Sequence, residues 1–128
     1  MEHLLKKSPL GAAISPEEIR DLRYQLSSDP RRPLSQQQFS ELLGVSWSTV
    51  ARWERGGRPD QQMGRKLARL QRTLNALGEM IKREYRLAFF KQHHPLLLDL
   101  RPIDLLDGED GAMAVIRLLE GAETGAFA

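Results

Sequence analysis

The chain contains no cysteine, which excludes disulfides, thiolate metal sites and a cysteine nucleophile. That usage fits a reducing compartment, and a cytoplasmic location is expected. Aromatics make up only 6% of the 128 residues, so Leu, Ile, Val, Met and Ala must build the interior. No apolar run approaches the roughly 18 residues that a membrane-spanning helix needs, and no membrane association is expected. The opening MEHLLKKSPLGAAIS has too short and broken an apolar stretch for a signal peptide, so residues 1–14 read as a flexible N-terminal arm. The sequence also lacks a phosphate-binding glycine loop and any Ser-His-acid set with placeable geometry. His93-His94 precede a proline without ligand spacing, and the run Asp107-Gly108-Glu109-Asp110 is too short for a calcium loop. Neither catalysis, a metal site nor a cofactor is therefore expected, and the two histidines read as a solvated connector.

What is present is a lopsided charge on a packable chain. Hydrophobic residues reach 41%, enough for a core. Residues 1–92 carry 17 Lys and Arg against 10 Asp and Glu, whereas residues 93–128 carry 2 against 7. A basic body with an acidic end points to a polyanion for the first part and a different partner for the second.

The punctuation of the chain is helical throughout. Ser15-Pro16-Glu17-Glu18 reads as a capped helix start, with Ile19, Leu22 and Leu26 as the buried side, and SSDPRRP (27–33) ends it. Ser35 caps a second helix that buries Phe39, Leu42 and Leu43 and stops at Gly44. Ser46 caps a third from Trp47 to about Arg55, closed by Gly56-Gly57-Arg58-Pro59. From Asp60 a longer helix is predicted, its apolar residues falling at Met63, Leu67, Leu70, Leu74, Leu77 and Ile81. That stripe serves either this chain's own core or pairing with a second copy. A helix from Tyr85 to Lys91, a short one around Ile103 to Leu106, a Gly-Glu-Asp-Gly turn, and a last helix from about Glu109 to Glu120 follow. No strand is expected.

Two short helices joined by a three-residue turn form a helix-turn-helix pattern, whose second helix lies in the major groove. On that helix Val50 and Trp53 lie about 60° apart and define the inward face. Ser48, Arg52 and Arg55 lie on the opposite side, with Trp47 between the faces. Ser48 and Arg52 are residue types suited to base edges, with Arg55, Arg58, Arg65 and Lys66 toward phosphates.

The run SQQQFSELLGVSWSTVARWERGGRP (35–59) resembles the Xre and phage lambda Cro/repressor family, a likeness that extends over residues 15 to about 70. The resemblance implies that Gln36 touches a phosphate and braces the reading helix, that Trp47, Ser48 and Arg52 face bases with Thr49 beside them, and that Glu54 pairs with Arg23 as a structural salt bridge. Two departures stand out: Ser40 occupies a position usually held by alanine, and the loop bearing Arg31-Arg32 is longer than usual. For Trp47 two readings stand open, an indole against DNA and an indole folded onto its own domain.

The end of the chain, RPIDLLDGEDGAMAVIRLLEGAETGAFA (101–128), resembles the toxin-binding domain of the MbcA/ParS/Xre antitoxin family. Pro102, Asp104-Leu105-Leu106, Gly111, Val115, Leu118-Leu119, Glu123 and Gly125 carry the likeness. It implies an all-α antitoxin: a lambda-repressor-like helix-turn-helix unit with a long connecting helix over residues 15–84, and a helical toxin-binding or dimerisation domain over residues 85–128. It also implies a homodimer on double-stranded operator DNA and a co-encoded toxin, often of the NAD-consuming RES type. The toxin would be met by the tail, with Glu123, Thr124, Gly125, Phe127 and Ala128 as the contacting set; the other reading has Phe127 packed on its own domain. The competing function is a dimeric repressor with no toxin.

Overall fold

The computed structural model describes residues 14–78 and 80–123, with Ala122 and Glu123 described by backbone alone. Helix α1 (Pro16–Leu26) begins on a reciprocal cap. The Ser15 hydroxyl accepts the Glu18 N–H at 3.1 Å, and the Glu18 carboxylate accepts the Ser15 N–H at 2.9 Å. Helix α2 (Gln36–Leu43) starts where Ser35 Oγ accepts the Gln38 N–H, and ends on Gly44 at φ 74°, a left-handed conformation that glycine adopts without a side-chain clash. Two residues later the Ser46 hydroxyl caps α3 (Trp47–Glu54). Asp60 caps α4 (Gln61–Leu77), accepting the Met63 N–H at 2.8 Å.

The apolar stripe of α4 turns inward. Leu67, Leu70, Leu74 and Leu77 are buried among this chain's own side chains, so these four leucines are not an open seam for a second copy. The predicted continuation of the helix to Ile81 is corrected: Gly78, at φ 51° and ψ −126°, ends α4, and Met80 and Ile81 lie in the connection. Helix α5 (Arg83–Lys91) then starts two residues earlier than the sequence predicts.

Arg83 and Arg86 explain where α5 sits. The Arg83 guanidinium donates to the carbonyls of Tyr24 at 2.6 Å and Ser27 at 3.4 Å, and Arg86 donates to Gln25 at 3.2 Å. These carbonyls close the C-terminal end of α1, where the helix dipole favours cations.

After α5 the chain makes a 3-10 turn, η1 (Pro95–Leu97), then α6 (Pro102–Leu105) and α7 (Glu109–Glu123). His94 is not merely a solvated connector. Its Nδ1 accepts the Leu96 N–H at 3.2 Å, and its backbone forms an isolated bridge with Leu100. The last turn is corrected too: it falls at Leu106–Gly108, and Asp110 and Gly111 already belong to α7. The described residues contain no strand beyond that single bridge.

The buried side chains form one cluster from Ile14 to Leu119, with α4 packed against α1 and against α7. A row of α4 cations flanks this seam. Lys66 Nζ lies 2.7 Å from the Asp107 carboxylate, and Arg72 donates to Glu109 at 2.7 Å. Between them, Arg69 donates to the Leu106 and Asp107 carbonyls, both at 3.2 Å, and to the Glu109 carboxylate at 3.4 Å.

Candidate nucleic-acid interface

Glu54, the last residue of α3, fixes the helix to the rest of the bundle. Its carboxylate accepts Arg23 Nη1 at 2.7 and 2.8 Å, and Gln36 Nε2 at 3.1 Å. Arg23 Nε in turn donates to the Leu34 carbonyl at 2.8 Å, just before α2. One carboxylate thus ties α1 and the start of α2 to the end of α3. The bracing role that the resemblance implies for Gln36 has this contact as its physical form. Side chains of Arg23 and Glu54 are 10% and 5% exposed, so this ion pair is shielded from solvent and salt.

Val50 and Trp53 pack α3 inward, Trp53 being 2% exposed. Its indole Nε1–H has no hydrogen-bond partner among the described residues. Trp47 is 57% exposed at the first position of α3, so its indole is not folded onto the core. Ser48, Arg52, Arg55 and Arg58 are exposed and Thr49 is half-buried. Among the described residues no carboxylate pairs with Arg52, Arg55, Arg58 or Arg65. Gly57 allows the chain to turn closely over Arg52. Its N–H donates to the Arg52 carbonyl at 2.9 Å, and a Cβ there would fall 2.7 Å from Arg52 Cγ.

The hydroxyls of this turn are engaged with one another. Ser46 Oγ lies 3.1 Å from Ser48 Oγ and 2.7 Å from Thr49 Oγ1, and accepts the Thr49 N–H at 3.2 Å. Ser40 is buried, and its hydroxyl donates to the Gln37 carbonyl at 2.7 Å, which satisfies it without water.

Not every basic residue expected at the phosphates is free to be there. Lys66 is buried against Asp107 and belongs to the internal clamp, a correction to its expected place. Arg31 and Arg32 are exposed. The Arg31 backbone N–H and then its guanidinium hold the Asp29 carboxyl below the usual carboxylate range.

At the other end, the residues that carry the C-terminal likeness are mostly interior. Pro102, Leu106, Val115, Leu118 and Leu119 are buried. Gly111 lets the start of α7 lie close against the end of α6, since a Cβ there would overlap the Leu105 carbonyl. Asp104 is salt-bridged to Arg101 at 2.8 Å, and that hydrogen bond holds its carboxyl low. Thr124, Gly125, Phe127 and Ala128 lie outside the described residues, and only the backbone of Glu123 is described, as the last residue of α7.

Sequence reasoning missed the Lys66-Arg69-Arg72 clamp. The available signal was three cations at steps of three beside a leucine stripe, with acids gathered near residue 109 to receive them. No group of three or more His, Asp or Glu side chains among the described residues is placed to hold a metal ion. No described helix is long and apolar enough to cross a membrane.

No curated protein sequence matches the chain. The chain is similar over its length to a solved structure, the crystal structure of the M. tuberculosis MbcT-MbcA toxin-antitoxin complex. The match has 20% identity and a TM-score of 0.64, and covers 88% of this chain and 96% of that one. At that identity the likeness is one of fold. Residues 32–70, from the loop before α2 into α4, match the helix-turn-helix family model HTH_3.

Proposed function

We propose that the protein is the antitoxin of a toxin-antitoxin pair, binding operator DNA through α2 and α3 and a toxin protein through its C-terminal region. The observation that carries this reading is the combination of two likenesses: a helix-turn-helix match at residues 32–70, and a shared fold extending to nearly the whole of a chain from a toxin-antitoxin complex. The DNA-facing set is Trp47, Ser48, Thr49 and Arg52 toward bases and Arg55 and Arg58 toward phosphates, with Gln36 and Glu54 bracing α3. The reading makes the chain a binding protein in the cytoplasm, with no catalysis of its own. Two copies bind together, because one short recognition helix covers too little sequence and two half-sites a helical turn apart supply the rest.

The toxin-facing set is Glu123, Thr124, Gly125, Phe127 and Ala128, and the toxin class implied by the C-terminal resemblance is the NAD-consuming RES type. The test is co-expression of the chain with its neighbouring reading frame, full length against a chain ending at Glu120. Full length is expected to co-purify with the neighbour and restore growth and cellular NAD, and the truncated chain to lose both while still binding DNA. If neither chain retains a partner, the protein is a repressor without a toxin.

A further inference from the structure

The two tryptophans, six positions apart, have opposite fates: Trp53 closes the core and Trp47 stands 57% exposed on the first turn of α3. Single exposed apolar side chains are common, and Tyr85, Leu96, Leu98 and Leu100 are exposed here too, but Trp47 is the exposed large apolar side chain of α3, so its place on that helix gives it meaning. The first turn of a recognition helix is the part that meets base edges. Polar reading is weakened there, because the Ser46, Ser48 and Thr49 hydroxyls hold three protons between them and two are used in the Ser46–Ser48 and Ser46–Thr49 bonds. The largest uncommitted group on that turn is the indole.

In the major groove the thymine 5-methyl is the apolar group on a base edge. We infer that Trp47 is a specificity-determining residue that packs on the methyl of a thymine, an inference that rests on the DNA-binding reading above. Arg52, five residues along the same helix, exposed and without a carboxylate partner among the described residues, supplies the polar part of the readout.

The full-length chain is first used to select its site from random duplex DNA, and each thymine of that site is then replaced singly by deoxyuridine, which removes only the methyl. Burying one methyl is worth about fourfold in affinity. One thymine in each half-site is expected to show this loss. Trp47→Ala should bind the thymine and deoxyuridine sites equally, while Trp47→Phe keeps the preference. Circular dichroism confirms that both variants fold, as an exposed position leads one to expect.

The inference is overturned if no thymine is sensitive, or if the methyl effect persists in Trp47→Ala. It is also overturned if Trp47→Ala weakens both sites alike while the methyl effect remains, since that is a sugar contact. It fails equally if Trp47→Ala spares DNA but loses the co-expressed partner, which would make the indole a protein contact. If the wild-type chain selects no DNA at all, the DNA-binding reading itself falls, and this inference falls with it.

Discussion

Glu54 joins more of the molecule than any neighbouring side chain, because Arg23 and Gln36 both reach it from other helices. Arg23 is itself buried, so removing the carboxylate charge strands a guanidinium away from water. Breaking a shielded pair in this way costs about 3 kcal/mol. Glu54→Gln is therefore expected to lower the urea midpoint by that energy with little change in slope, and a loss below about 1 kcal/mol would mean that water replaces the pair. Arg52 and Arg58 are both exposed arginines, yet their expected effects differ. Arg52→Ala should relax discrimination at one base position by about tenfold, the scale of one good base contact. Arg58→Ala should weaken all sequences alike and lower the slope of log affinity against log salt by about one per protomer. Quantitative binding at several salt concentrations separates the two. The Arg23–Glu54 partnership is legible in the sequence, where a long family pattern supplies both residues. The hydroxyl cluster around Ser46 is not, since nothing in the order Ser-Trp-Ser-Thr says which way the hydroxyls point.

Helix starts are the most legible elements of this chain. Ser15, Ser35, Ser46 and Asp60 each accept the backbone N–H three residues on, and each is readable as a cap. Helix ends are harder. The leucine spacing runs on to Ile81 as though α4 continued, and only Gly78 within that pattern hints at the break. The turn after η1 is harder still. Leu98 and Asp99 hold φ of 57° and 61°, a region that L side chains seldom enter, so Pro95–Leu100 carries no glycine to announce it. At α6 and α7 the reverse holds: Gly111 is readable as part of a family pattern, but its reason is geometric. Gly111→Ala would press a methyl onto the Leu105 carbonyl, which belongs to backbone and cannot rotate away. The expected cost is about 1–3 kcal/mol, seen as a lowered thermal midpoint. Gly108→Ala is the control, because a Cβ there meets nothing within 4 Å.

At the scale of the whole molecule, the charge asymmetry has an internal use beside its external one. Part of the basic excess faces inward: Lys66, Arg69 and Arg72 meet Asp107 and Glu109, and Arg83 and Arg86 close α1. The exposed arginines around α3, with Arg31 and Arg32, remain available to a polyanion. The internal use has a pH signature. Arg72, and after it Arg69, hold the Glu109 carboxyl below its usual range. A free glutamate titrates near pH 4.3, so as pH falls the unfolded chain takes up this proton before the folded one. The contribution of Glu109 to stability is then fully present above about pH 4.3 and is lost as pH drops through its lowered folded value. Asp29 and Asp104, also held low by their arginines, add slopes of the same sign, so the measurement must be differential. Glu109→Gln is expected to lower stability slightly near neutrality, because the pair is about half exposed, and to flatten the fall in unfolding free energy below about pH 4.3 by that same small amount. The difference from wild type should shrink in 1 M salt, where exposed charges are screened within about 3 Å. Parallel curves for the two proteins across the acid range would mean that the contacts of Arg72 and Arg69 to Glu109 contribute nothing to folding.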